Sequence, residues 1–403
     1  MTKIRLAVIG NGMTGLKFIE ELLAISSGNM DITVVGDERE PAYNRVLLSQ
    51  MLSGEIGPEA CEMRPASWYR DHGVSLRLGA RVTALEPRQR TITLSDGITI
   101  AFDICVLATG SQPIRLNVPG AALPGVHVFR TLGDAGSLQG LASRGEKTIV
   151  IGGGLLGIEA AYGLKRSGAD VTLIHLMDRL MERQLDSRAA TVLRRALESL
   201  GIEVRLETET ASFEGDGRVE AVVFKGGERV PASAVVMAIG IRPNAGLGAT
   251  ASLKVNRGIT VDNQMRTSNP EILAIGECAE HEGICYGLVE PCYEQARVAA
   301  HVIAGRPGAA FAPVALTTNL KVSGVPVFSA GDFEGAGQEQ IILQDETSGI
   351  YRKFVVRDNR LRGVVLMGDT ADALWYRDLI RSGSDISRLR DTLAFGRFDR
   401  EAA

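Results

Sequence analysis

One glycine pattern occurs twice in this chain, each time between a strand-like run and a helix. Ile4-Arg5-Leu6-Ala7-Val8-Ile9 reads as a strand, followed by Gly10-Asn11-Gly12-Met13-Thr14-Gly15 and a helical stretch to about Leu23. A second strand, Ile32 to Val35, then runs into Gly36-Asp37-Glu38. The plan returns at Lys147 to Ile151, Gly152-Gly153-Gly154-Leu155-Leu156-Gly157, a helix to about Ser167 and a strand Val171 to Ile174. In such a unit the first glycine makes the tight strand-to-helix turn and the second lets backbone approach a pyrophosphate. The third lets helix and strand pack closely. The helix N-terminus adds unpaired N–H groups and the positive end of the helix dipole. One copy alone is a weak signal. Two copies, each in a strand–helix–strand context, imply two dinucleotide sites on an α/β fold.

The rest of the chain fits around that repeat. Thr91 to Gly97 reads as a hairpin strand and turn, and the apolar run Phe102 to Leu107 leads into Ala108-Thr109-Gly110-Ser111-Gln112-Pro113. Ala234 to Ile239 leads into Gly240-Ile241-Arg242-Pro243-Asn244, and Ile272 to Ile275 into Gly276-Glu277, with a helix across roughly Pro291 to Ala304. Beyond Pro313 come short strands (Val325 to Ser329, Ile350 to Val356, Gly363 to Met367) and a polar-faced helix near Ala371 to Arg381, the pattern of a separate α+β domain. At 403 residues, two or three domains are expected.

Composition excludes several classes. A net charge of -4 with interspersed signs and no basic run argues against nucleic acid as a partner. No apolar stretch is long enough to span a bilayer and no signal segment is evident, so no membrane partner and a cytoplasmic location are expected. The five cysteines (Cys61, Cys105, Cys278, Cys285, Cys292) form no CxxC pair, and Cys105 reads as core. The regular spacing of Cys278, Cys285 and Cys292 invites a metal reading, but metal sites use closer pairs, and no metal is expected.

The ordered set GxGxxG, ATGSQP, GGGxxGxE, AIGIRPN and AIGE resembles the two-dinucleotide-binding flavoproteins, the pyridine nucleotide-disulfide oxidoreductase-like family, over essentially the whole chain. The resemblance implies two Rossmann-like domains of the glutathione reductase-like kind plus a C-terminal α+β domain. It places an FAD domain at 1–115 and 243–310, an NAD(P) domain at 116–242 and an interface domain at 311–403, packed over the flavin side or forming an interface. Ala42-Tyr43-Asn44-Arg45-Val46-Leu47-Leu48-Ser49, Leu180-Met181-Glu182-Arg183-Gln184-Leu185-Asp186 and Gly276-Glu277-Cys278-Ala279-Glu280 are similar to two narrower groups. These are the flavin portion of assimilatory NAD(P)H nitrite reductases and the electron-transfer subunits of assimilatory nitrate reductases. Thr318 to Val325 and Gly363 to Thr370 support the same placement. No cysteine cluster for an iron–sulfur centre or sirohaem follows, so nitrite is not expected to be reduced on this chain.

The resemblance also implies site residues. Gly10, Gly12 and Gly15 belong to the FAD pyrophosphate. Asp37 or Glu38 takes the ribose, with a solvated turn as the reading of the other. Arg45 pairs an FAD phosphate oxygen, or is a surface arginine. Val82, Ala108, Thr109, Gly110, Gly240 and Gly276 line the cofactors, and Glu277 stands where relatives carry an aspartate bonding the ribitol. Gly152, Gly154 and Gly157 hold the coenzyme pyrophosphate. Glu159 borders the nicotinamide, and Gln50 replaces a lysine that pairs with it in relatives; an amide can still hydrogen-bond to the carboxylate. At the coenzyme ribose His175 replaces the acid that selects NAD, with Arg179 nearby. A protonated His175 or Arg179 attracts a 2′-phosphate, or His175 is a ring packed at a strand end; tolerance of both coenzymes is the expectation. The cysteines that disulfide reductases and NADH peroxidases need beside the flavin are missing near Arg45 and Val46.

The expected activity is therefore hydride transfer from NAD(P)H to FAD, followed by single-electron transfer to a protein acceptor. That acceptor is an iron–sulfur protein, a nitrate or nitrite reductase, or a rubredoxin-like protein, and a homodimer is an admissible assembly. A rubredoxin or ferredoxin reductase of general use, or a non-catalytic nucleotide-sensing flavoprotein, are the alternatives.

Overall fold

Leu6, Ala7, Val8 and Ile9 are buried in succession, the burial expected of a parallel strand covered on both faces. The computed structural model describes residues 3–26, 28–312, 317–322 and 325–397, with backbone alone for 317–322. Pro313, Ser323 and Gly324, which enter the reading of the tail, lie outside them.

The described residues of 1–48, 57–112 and 241–314 form one compact unit. Its five-stranded sheet runs Ile272–Ala274, Ile104–Leu107, Ile4–Ile9, Met30–Val35 and Val74–Arg77, all parallel. The helix Met13–Ile25 buries Gly15, Leu16, Phe18, Ile19 and Leu22, a stripe at helical spacing, and packs beside the helix Val289–Ile303. The hairpin strand read at Thr91 lies in a three-stranded antiparallel sheet with Val82–Glu86 and Thr99–Ala101.

The described residues of 49–56, 113–240 and 315–403 form a second unit. It repeats the plan: Glu203–Arg205, Asp170–Ile174, Lys147–Ile151, Ala234–Met237 and Val126–Val128 make a parallel sheet with the glycine-bearing strand in the middle. A three-stranded antiparallel sheet, Thr210–Glu214, Ala221–Phe224 and Arg229–Pro231, again accompanies it.

The tail forms a five-stranded antiparallel sheet in the order Thr317–Val322, Val325–Gly331, Arg360–Met367, Ile350–Arg357, Glu339–Asp345, with the helix Ala373–Ser382 against it. Phe328, Phe354, Val364, Leu366 and Tyr376 make its own core. The tail nonetheless shares a compact unit with the 113–240 segment, and a buried polar knot explains why. Asp186, 7% exposed, caps the helix Ser187–Ser199 by accepting from the Arg188 and Ala189 N–H groups, each at 3.0 Å. Its other oxygen accepts from the Tyr351 hydroxyl at 2.9 Å and pairs with Lys353 Nζ at 3.1 Å. Lys353 also donates to the Glu334 carbonyl. Among the described residues no helix is long and apolar enough to cross a membrane.

Candidate functional site

The two fingerprints have the same local architecture. Gly10 takes φ +114°, and a Cβ there would stand 2.1 Å from the Ala108 carbonyl oxygen. Gly152 takes φ +119°, and its Cβ would stand 2.3 Å from the Ala238 oxygen. Each first glycine thus turns the chain against the end of the neighbouring strand. A Cβ on Gly15 or Gly157 would lie 2.3 or 1.8 Å from the oxygen of Gly10 or Gly152. Only the second glycines differ: a Cβ added at Gly12 or Gly154 would meet nothing within 4 Å. Both are N-caps in extended backbone without a side-chain cap, so each helix begins with uncapped N–H groups at an open position. Two such cradles fit two pyrophosphates by shape and by donor chemistry.

In the first unit the Ala108-Thr109-Gly110 turn is fastened to a segment far along the chain. Thr109 Oγ1 donates to the Asn244 carbonyl at 2.8 Å, Asn244 Nδ2 donates to the Thr109 carbonyl at 2.9 Å, and the Asn244 N–H donates to the Gly110 carbonyl at 2.9 Å. Ser111 Oγ donates to Glu277 at 2.9 Å, so the glutamate in place of aspartate is a placed acceptor on the turn that Gly276 opens at φ +78°. Val82 is partly buried against this unit's core rather than projecting free.

The two candidate ribose acids have different neighbours. Asp37 is exposed and pairs with exposed Arg81 at 2.7 Å. Glu38 accepts from the Tyr43 hydroxyl at 2.6 Å and pairs with Arg45, whose guanidinium lies over the Tyr43 ring. Burial opposes the charge of Arg45, but Tyr43, Glu38 and Glu277 together hold it above its ordinary value. Glu38 and Arg45 therefore belong to one network that Asp37 does not join.

In the second unit, a Cβ on Gly163 would stand 2.9 Å from Leu52, so the short helix Leu48–Leu52 that carries Gln50 packs on the helix of Glu159, one turn along. The Gln50 amide makes no hydrogen bond to Glu159 among the described residues. Burial alone pushes the half-buried Glu159 carboxyl up to about 7. Gly240 takes φ +115° and its carbonyl accepts from the Ile114 N–H at 2.9 Å.

His175 and Arg179 carry partners of their own. His175 Nδ1 accepts from the Gly153 N–H at 3.0 Å and Nε2 faces Glu182 at 3.0 Å, so the protonated, phosphate-attracting form of the ring is not the one this geometry suits. Arg179 pairs with Glu334 at 2.7 Å. Glu182 entered the sequence reading only inside a motif; its place beside the fingerprint has no signal in periodicity or spacing.

None of the five cysteines is joined in a disulfide, four of them are buried, and burial raises the thiols of Cys61, Cys105, Cys278 and Cys285. Among the described residues no group of three or more His, Cys, Asp or Glu is placed to hold a metal.

Comparison with known proteins gives these features a context. Residues 4–302 match the pyridine nucleotide-disulphide oxidoreductase family, and residues 317–384 match the rubredoxin NAD+ reductase C-terminal domain. Nitrite reductase [NAD(P)H] of Bacillus subtilis is 43% identical over 96% of this chain and 48% of its own length. The assimilatory nitrate reductase electron transfer subunit of the same organism is 41% identical over 96% of this chain and 50% of its own. The chain thus spans about half the length of these relatives. A chain in the crystal structure of a covalent putidaredoxin reductase–putidaredoxin complex superposes with a TM-score of 0.87 at 25% identity, covering 98% of this chain and 99% of that one.

Proposed function

The chain belongs to the pyridine nucleotide-disulphide oxidoreductase family, and from that premise we propose that it is an FAD-dependent NAD(P)H reductase. It passes electrons to a separate redox protein in nitrate or nitrite assimilation, in the cytoplasm. The observation that carries this reading is the pair of matched cradles, each closed around its first and third glycines and open at Gly12 or Gly154. The lack of a cysteine pair supports electron delivery to another protein rather than thiol chemistry. Likeness to the nitrate reductase electron transfer subunit supports the assimilatory assignment. The tail's match to the rubredoxin NAD+ reductase C-terminal domain supports a rubredoxin-like acceptor as the second reading.

The residues divide the work as follows. FAD, when bound, supplies the acceptance of hydride and its release as single electrons. Gly12 and the helix N–H groups behind it would hold the FAD pyrophosphate, Glu38 the ribose, Arg45 a phosphate oxygen and Glu277 a ribitol hydroxyl. Gly154 and its helix would hold the coenzyme pyrophosphate. Glu159, with no ion partner among the described residues, would border the nicotinamide as a carboxyl whose charge varies around neutral pH.

Anaerobic stopped-flow mixing of the purified yellow protein with NADH and then NADPH tests the reading. Bleaching of the flavin, followed by reoxidation on adding an iron–sulfur acceptor, is expected. A colourless protein after FAD reconstitution, or a flavin that neither coenzyme reduces, would refute it. Offering rubredoxin and nitrate reductase side by side separates the two acceptor readings.

Glu159→Ala should slow flavin reduction on the order of tenfold, since a misplaced nicotinamide is costly; an unchanged rate removes Glu159 from the site. Its carboxyl also links stability to pH. The folded group binds its proton at about 7 against a reference of 4.5, so between those values the folded chain holds more protons than the unfolded one. Its contribution therefore falls as pH rises through that window. Glu159→Gln should flatten the pH dependence of the denaturation midpoint there, and an unaltered slope would disprove the burial argument.

A further inference from the structure

We infer that Glu182 selects NADH over NADPH in this chain, an inference that rests on reading the second fingerprint as the coenzyme site. The strand Asp170–Ile174 is followed by His175 where an acid would bond the ribose 2′-hydroxyl. The structure supplies the acid from further along. Because Nδ1 of His175 accepts from the Gly153 N–H, its ring hydrogen sits on Nε2 and is directed at Glu182 Oε2, 3.0 Å away. The loop is pinned to the same glycine on its other side: the Met181 N–H donates to the Gly153 carbonyl at 2.9 Å, with Met181 at φ +50°. A Cβ on residue 153 would stand 2.6 Å from Leu180 and 2.7 Å from His175, so this clamp requires glycine. Both backbone groups of Gly153 are thus spent on holding the loop, directly beside the open position at Gly154. The result is a carboxylate one imidazole away from the fingerprint.

The local charge balance favours a hydroxyl over a phosphate. Among the described residues the one cation paired with Glu182 Oε1 is Arg183, at 3.7 Å, and that arginine is 85% exposed. Arg179 is committed to Glu334 at 2.7 Å and Asp178 at 3.6 Å. Among the described residues Arg179 is thus shared between two other carboxylates while Arg183 ranges into solvent, so neither guanidinium is held in place for an incoming phosphate. A ribose 2′-hydroxyl can donate to Glu182, whereas a 2′-phosphate meets net negative charge. Leu176 and Met177, 58% and 44% exposed, add apolar surface for an adenine at the same strand end.

The test is calorimetric titration of the holoprotein with NAD+ and NADP+, together with KM for NADH and NADPH using ferricyanide as acceptor. NADH should be preferred by about tenfold or more, and the gap should narrow with added salt as the repulsion is screened. Glu182→Gln should reduce the preference by about threefold or more, chiefly by improving NADPH. Arg183→Ala, at an exposed position that leaves the fold untouched, should move the ratio the other way by removing a cation from beside the carboxylate. Equal affinities in the parent protein, a preference for NADPH, or a ratio that neither variant moves would overturn the inference while leaving the reductase reading intact. If neither coenzyme binds, the coenzyme site itself is misassigned and the inference fails with it.

Discussion

Gly12→Ala and Gly154→Ala should each leave the protein folded and deprive it of one ligand. Both positions have extended backbone that alanine adopts freely, and the added methyl would meet no protein atom within 4 Å. It would instead fill the space in which a phosphate must touch the helix N-terminus. Gly12→Ala is expected to emerge from gel filtration with most of its flavin absorbance lost, at a circular dichroism melt equal to that of the parent protein stripped of flavin. Gly154→Ala should keep its yellow colour and raise KM for the coenzyme by about 10²-fold, the scale on which a misplaced reactant is penalised. Gly15→Ala and Gly157→Ala are the contrast, because their methyl groups would collide with a backbone oxygen at 2.3 and 1.8 Å. Those two should lose ligand and stability together, by roughly 1–3 kcal/mol or more. A Gly12→Ala protein that holds stoichiometric flavin at undiminished affinity would show that the pyrophosphate does not lie there.

The second large effect lies away from the cradles. Asp186→Ala removes two N-cap bonds, the acceptor of the buried Tyr351 hydroxyl and the counter-ion of Lys353, which is 4% exposed. Among the described residues the lysine would be left buried with a single hydrogen-bond acceptor, the Glu334 carbonyl. Breaking a buried pair from one side costs roughly 3–5 kcal/mol, and the expected result is an early first transition in urea. Lys353→Met should cost less, since Asp186 then keeps three donors around it. Asp186→Asn should fall between, retaining acceptors while losing the charge. If Asp186→Ala and Lys353→Met shift the transition equally, the cap and the Tyr351 bond contribute nothing beyond the ion pair. Limited proteolysis of the tail provides an independent readout, because the knot ties the tail to the helix Ser187–Ser199.

The sequence carried the two dinucleotide units well for a physical reason. Parallel strands covered on both faces are written as unbroken apolar runs, and the glycines between strand and helix have no other economical explanation. The strand at Lys147–Ile151 therefore emerged with its observed bounds, and the strand Met30–Val35 began only two residues earlier than expected. The tail was harder. Glu339–Asp345 was not foreseen as a strand, since its residues are exposed or only partly buried at a sheet edge and their polar ends mask the apolar centre. The different surroundings of Asp37 and Glu38, on which the proposed choice between them rests, have no signal in spacing, because they arise from Tyr43 and Arg45 folding back onto Glu38. The role argued for Glu182 was hidden for the same reason: it reaches the fingerprint through a histidine ring.

The three hydrogen bonds that join Thr109 and Gly110 to Asn244 carry a consequence for how such a chain can change over time. They fasten the exit and the return of a long excursion to one point of the first unit. A stretch anchored at such a closed gate can be lengthened, shortened or exchanged without displacing the sheet it leaves. On the proposed reading of that stretch as the coenzyme-binding part, it is a graft on a fixed stock, able to adopt a new coenzyme while the stock keeps its own.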